Sequence, residues 1–197
     1  MLRSLLIASL FVLLLFPSSQ LVAQGKTADK TAPSEEPEKA EREMCKKVGC
    51  AFDVRIVLKR KDGSIFDRSF RTVPVVQPTG VSVYAGQSVL FEADVQDDRL
   101  SNFKPVKSIE HPEKTISATL KQNSDGSMTL ALRNPFRRPM KVAMGIMPLD
   151  RDSLLKTSSC PVLAGLMGFE LWPYPIFQVW LGNIRLLENS SSIICSE

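Results

Sequence analysis

Five separate runs of this chain alternate apolar with polar residues, and no other feature limits its possible folds so strongly. Phe52, Val54, Ile56 and Leu58 fall on one side, with Asp53, Arg55 and Lys59 on the other. The pattern recurs at Val89, Phe91, Ala93 and Val95, at Ile116, Ala118 and Leu120, at Met128, Leu130 and Leu132, and at Met140, Val142, Met144 and Ile146. Successive side chains of a strand point to opposite faces, so a period of two means a strand with one buried and one wet face. That is the habit of antiparallel sheet.

Turn residues fix how two pairs of these strands meet. Asp62-Gly63 follows the first strand, and Asp125-Gly126 joins the runs ending at Leu120 and starting at Met128. A two-residue turn at either place sets apolar residues opposite polar ones. A three-residue loop ending in glycine restores the phase. With Lys61-Asp62-Gly63 as the loop, Leu58 faces Phe66 and Val54 faces Phe70. With Ser124-Asp125-Gly126, Leu120 faces Leu130 and Ala118 faces Leu132. The glycine then takes a positive φ, which costs it nothing for want of a Cβ. Arg68 falls on the inner face in this register, which puts the Ile65–Thr72 strand at an edge or near an end. Near the C-terminus, Phe177, Val179 and Leu181 alternate in one phase and Ile184 and Leu186 in the other. Either a bulge at Gly182-Asn183 resets the faces, or Trp180, Ile184 and Leu186 form the buried set.

Between Val81 and Val95 a short strand, the turn Tyr84-Ala85-Gly86-Gln87 and a long alternating strand follow one another. In this the chain resembles the early part of immunoglobulin-like modules. The likeness covers about 15 residues; it implies a sandwich and nothing about activity. The expected fold is all-β, an antiparallel immunoglobulin-like β-sandwich of about seven to nine strands. At most one short helix is expected, capped by Asp150 or Asp152 and running through Leu154-Leu155-Lys156.

The chain opens with Arg3, an apolar run from Leu5 to Phe16, a polar break at Pro17–Gln20 and the small or apolar residues Leu21-Val22-Ala23. This is the three-part secretory leader, and the run is too short for a membrane helix of roughly 20 residues. Residues 1–23 are therefore read as a signal peptide and residues 24–44 as a disordered charged linker. The domain proper is 45–197. The linker carries four basic and six acidic residues and almost no large apolar ones. The remaining body holds a net charge of +5. That is mild, and Lys59-Arg60-Lys61 and Arg137-Arg138 read as solvated loop charge; no nucleic-acid partner is expected. No membrane-spanning segment is expected in the mature chain.

Cys45, Cys50, Cys160 and Cys195 make an even set in an exported chain, which points to disulfides. The favoured pairing is Cys45–Cys50 with Cys160–Cys195. A bridge from Cys50 to Cys160 or Cys195 is the rival. In the chain-entropy account the longer bridge contributes about 4 kcal/mol and the shorter about 2. No C-x-x-C pair suggests zinc, and neither a metal nor another cofactor is expected.

Few residues invite chemistry. The single histidine, His111, is followed by Pro112 in an extended or turn segment, and no nucleophile-elbow motif supports a triad around it. Asp97-Asp98 and Asp150-Arg151-Asp152 suit turns and caps better than a calcium loop. Met140, Met144 and Met147 suit core filling better than a soft-metal site. Asn189-Ser190-Ser191 is a glycosylation sequon only in a host that uses it. The unusual segment is Cys160–Ile176, apolar and broken by Gly165, Gly168, Pro173 and Pro175. It either folds over an open end of the sandwich as core, or presents Phe169, Trp172 and Tyr174 as an exposed aromatic platform. These residues point to a periplasmic or secreted, non-catalytic interaction module. Its expected partner is a protein of the envelope or extracellular space, or an apolar ligand. The alternatives are a carbohydrate-binding module using Trp172, Tyr174 and Trp180, a hydrolase with a site near His111, and a structural subunit of an envelope assembly accepting a strand at Ile65–Thr72.

Overall fold

The computed structural model describes residues 35–188 and Cys195. The leader, the first part of the linker and the Asn189 sequon lie outside the described residues. One helix, α1 (Glu35–Lys47), precedes eleven strands: β1 (Gly49–Lys59), β2 (Ile65–Gln77), β3 (Gly80–Tyr84), β4 (Ser88–Gln96), β5 (Arg99–Val106), β6 (Ile116–Gln122), β7 (Met128–Arg133), β8 (Met140–Pro148), β9 (Leu155–Thr157), β10 (Met167–Trp172) and β11 (Ile176–Leu186). All the pairings are antiparallel.

The strand order runs β1-β2-β3-β11-β5-β4-β6-β7-β10, with β8 also on β11 and β9 on β8. The path narrows to one residue pair, Arg185 with Arg99, where β11 meets β5. The turn at Gly86 (φ +77°) carries the chain from β3, which pairs with β2 and β11, to β4, which pairs with β5 and β6. β1 and β10 end the order.

The alternation expected from sequence is most regular in β6 and β7, where Ile116, Ala118, Leu120, Met128, Leu130 and Leu132 are all buried. Both hairpin registers hold: Leu58 pairs with Phe66 and Val54 with Phe70, Leu120 with Leu130 and Ala118 with Leu132. Gly63 and Gly126 have φ of +85° and +88°. Each turn is braced by its aspartate, since Asp62 accepts the Ser64 N–H and hydroxyl and Asp125 accepts the same pair from Ser127. The faces of β11 are reset by a bulge between Gly182 and Arg185, with Asn183 at φ +43°. Val179, Leu181, Ile184 and Leu186 are therefore all buried. The disulfides are Cys45–Cys50 and Cys160–Cys195.

Several expectations need correction. Eleven strands form, more than the seven to nine expected. Residues 35–44, read from composition as the end of a spacer, are instead the body of α1. Their Glu, Lys, Ala and Arg content suits a helix as well as a disordered chain, and tertiary contacts decide it. Glu41 bonds to Arg71 at 3.1 Å and accepts from Thr72, and Cys45 ties the last turn to β1. The helical turn expected through Leu154–Lys156 is replaced by β9, which pairs with β8 from Met144 to Ile146. Phe52 points outward, because Asp53 takes a φ of +53° and shifts the phase between Phe52 and Val54. Val95 is exposed, as β4 runs past the core into its turn.

Candidate functional site

The segment Leu163–Ile176 does not form one aromatic platform. β10 alternates, so its residues divide between two faces. Trp172, at its end, is buried and packs with the core opposite Met128. Phe169 lies on the other face, 59% exposed, between Met167 at 50% and Leu171 at 67%. Tyr174 lies beyond β10, half-buried, with the Lys61 ammonium 5.6 Å from its ring centroid. The three expected binding residues thus occupy three environments: exposed row, core and cleft.

The exposed row belongs to an edge. Among the described strands β10 pairs only with β7, placing Phe169 beside Ala131 and Leu171 beside Thr129. On the inner face, Glu170 accepts the Cys160 N–H at 3.1 Å. Lys141, buried on β8, donates to the Ser159 carbonyl. Burial lowers the Lys141 pKa, and the charge of Glu170 opposes that shift. Asn134 fixes the strand's approach: its N–H donates to the Leu166 carbonyl, and its fully buried side chain reaches the carbonyls of Val162 and Leu163. The disulfide, the buried lysine and the buried amide together hold the backbone under the row.

A second feature lies at one end of the strands. The β1–β2 turn, the residues after β8, the start of β9 and the β10–β11 connection enclose a cleft of about 690 Å³. Its apolar surface comes from Pro148, Leu149, Leu155, Tyr174 and Pro175. Its charges are Arg60, Lys61 and Arg151 against Asp62 and Asp150. Asp62 is committed to its turn: the bonds from Ser64, more than the charge of Arg60, hold its carboxyl below the usual range.

The other sequence candidates stay apart from both features. His111 sits on an exposed turn, its Nδ1 3.9 Å from Glu113 and its carbonyl accepting from Lys114 and Thr115. Asp97 and Asp98 have φ of +47° and +62° and form the β4–β5 turn. Asp98 bonds to Arg138, which lowers its pKa. Met140 and Met144 are core. Trp180 lies against Gly80 and Gly182, half-buried, while Trp172 is buried. No group of three or more His, Cys, Asp or Glu among the described residues is arranged to hold a metal ion. No described helix is long and apolar enough to cross a membrane.

Sequence reasoning named Phe169 and Tyr174 but missed their neighbours. Met167, Phe169 and Leu171 do alternate, a signal hidden by the surrounding apolar residues. Arg60 and Lys61 read as loop charge, and Arg151 only as the middle of a carboxylate cluster suited to turns and caps; nothing in the sequence joins residues 60 and 151. Compared with protein families, curated proteins and solved structures, the chain finds no match.

Proposed function

We propose that this chain is an exported, non-catalytic binding module, built as an antiparallel β-sandwich, that takes an extended segment of a partner protein along β10. The carrying observation is the row Met167, Phe169 and Leu171, each at least half exposed on an edge strand. Natural edges are usually blunted by outward charge, proline or cover. Here the outward residues are apolar and the one charge, Glu170, turns inward. An added strand satisfies edge backbone groups while its alternate side chains meet the row. Full burial of one such side chain contributes about 1.5–3 kcal/mol, which gives the row value only when something covers it. Two disulfides suit the periplasm or extracellular space, and the leader-like start of the sequence supports export.

The test is site-specific photo-cross-linking in cells that produce the protein. A benzophenone amino acid replaces Phe169 in one variant and Val57, an exposed residue of β1, in another. The reading expects a discrete protein adduct from position 169 alone, lost when Leu171→Glu is added. Equal adducts from both positions, or none from 169, would overturn it.

A further inference from the structure

The end cleft is independent of the β10 row, and its chemistry points to a different kind of ligand. We propose that it binds a small amphipathic carboxylate, with an aromatic ring or short chain against Leu149, Leu155 and Tyr174 and the carboxylate among Arg60, Lys61 and Arg151. Size is the first argument: about 690 Å³ falls inside the range of roughly 300–1,000 Å³ typical of small-molecule sites. Charge is the second. Three cations face two carboxylates, so the lining carries one net positive charge and matches a monoanion. None of the three cations forms a salt bridge among the described residues. Of the two lining acids, Asp62 is occupied by Ser64. Arginine's planar fork suits a carboxylate, and the ammonium of Lys61, already over the Tyr174 ring, adds charge beside the apolar wall.

The walls are also held before any ligand arrives. Leu149 donates its N–H to the Pro175 carbonyl at 3.1 Å, joining the segment after β8 to the one before β11. The backbone N–H of Arg60 donates to the Ser64 carbonyl at 2.8 Å, closing the β1–β2 turn that carries two of the cations. A preformed site loses less affinity to ordering.

The experiment is calorimetric titration of the full chain with 4-phenylbutyrate and with the neutral 4-phenylbutan-1-ol, followed by amide shift mapping. The carboxylate should bind saturably at one site, about tenfold or more tighter than the alcohol, as a charged hydrogen bond predicts. Arg60→Gln and Arg151→Gln, both surface changes, should each weaken the carboxylate several-fold and leave the alcohol unchanged. Tyr174→Ser should weaken both, with urea unfolding used to show that each variant is folded. Shifts should centre on Leu149, Leu155 and Tyr174. No saturable binding up to about 10 mM would overturn the proposal. So would equal affinity for the two probes, or shifts centred on Met167–Leu171. None of these outcomes bears on cross-linking from position 169.

Discussion

Asn134 offers the sharpest test of how the segment beneath β10 is held. Its side chain is fully buried and every polar atom is used. Nδ2 lies 2.8 Å from the Arg138 carbonyl, 2.9 Å from Val162 and 3.1 Å from Leu163, while Oδ1 accepts the Phe136 N–H at 3.0 Å. Truncation to alanine does not orphan all four groups. The Val162 carbonyl still accepts from Met140, and that of Leu163 from Leu166. The Phe136 N–H and the Arg138 carbonyl lose the partner described here. At about 1–3 kcal/mol for each unsatisfied buried group, and with some relief from entering water, Asn134→Ala should cost roughly 2–4 kcal/mol. Asn134→Asp keeps the shape and the acceptor but turns a carboxylate toward three carbonyl oxygens. At neutral pH it should cost more than alanine.

Protonation separates the two variants. Burial beside acceptors raises the folded pKa of an aspartate at position 134, because only its protonated form can donate. A raised carboxyl pKa penalises folding above it. The Asp variant should therefore recover relative to the Ala variant as pH falls through that value. Urea unfolding of the oxidised protein, followed by tryptophan emission between pH 7 and pH 4, measures this difference. A cost for Asn134→Ala below about 0.5 kcal/mol, the usual range of a surface change, would refute the reasoning. So would equal costs for Ala and Asp at every pH.

Three further outcomes are expected. A Cβ at Gly182 would lie 1.8 Å from the Trp180 ring, so Gly182→Ala must displace the indole; it should cost about 1–3 kcal/mol and change the emission spectrum. Unchanged emission would refute this. Asp97→Gly removes a Cβ from a left-handed residue and should stabilise the β4–β5 turn by up to about 1 kcal/mol, read as a higher melting temperature. Bonds to Arg55, Arg138, Lys114 and Ser127 lower the carboxyl pKa values of Asp67, Asp98, Glu92 and Asp125 respectively. Depressed carboxyl values give stability that is present above the unfolded pKa of about 4 and lost as pH falls through the folded values. The urea midpoint should therefore hold from pH 7 to 5 and fall below pH 4, and a midpoint unchanged at pH 3 would refute this.

Local rules made much of the fold legible. Hairpin register follows from the two-residue period and the glycine φ, so Leu58–Phe66 and Leu120–Leu130 were readable from a few residues each. The bulge after Gly182 was legible only as one of two options, since two apolar sets out of phase are met either by an extra residue between them or by burying Trp180 with Ile184 and Leu186. The errors arose where long-range contacts outvoted local pattern. The composition of Glu35–Met44 is equally compatible with spacer and helix, and contacts with Arg71 and Thr72, far along the chain, together with the Cys45–Cys50 bridge, accompany the helix. Leu155 and Lys156 form strand because β8 offers an edge, which no local signal reveals. The site was legible only in outline. The segment Leu163–Ile176 was visible as unusual, but the partition of Phe169, Trp172 and Tyr174 depends on which face of β10 meets the core. The cleft joins residues about 90 positions apart.

That partition bears on function through Trp172. Its buried ring fixes the phase of β10, and the phase alone turns Met167, Phe169 and Leu171 outward. None of the three belongs to the buried core, and β7 presents Thr129, Ala131 and Arg133 beside them. Immediately beyond Trp172, the Pro173–Pro175 turn carries Tyr174 to the cleft. One anchored indole therefore sets the phase of the apolar edge and stands two residues before Tyr174, one wall of the cleft. A change at Trp172 should disturb the β10 row and the Tyr174 wall of the cleft, whereas Leu171→Glu should disturb only the row and Arg151→Gln only the cleft.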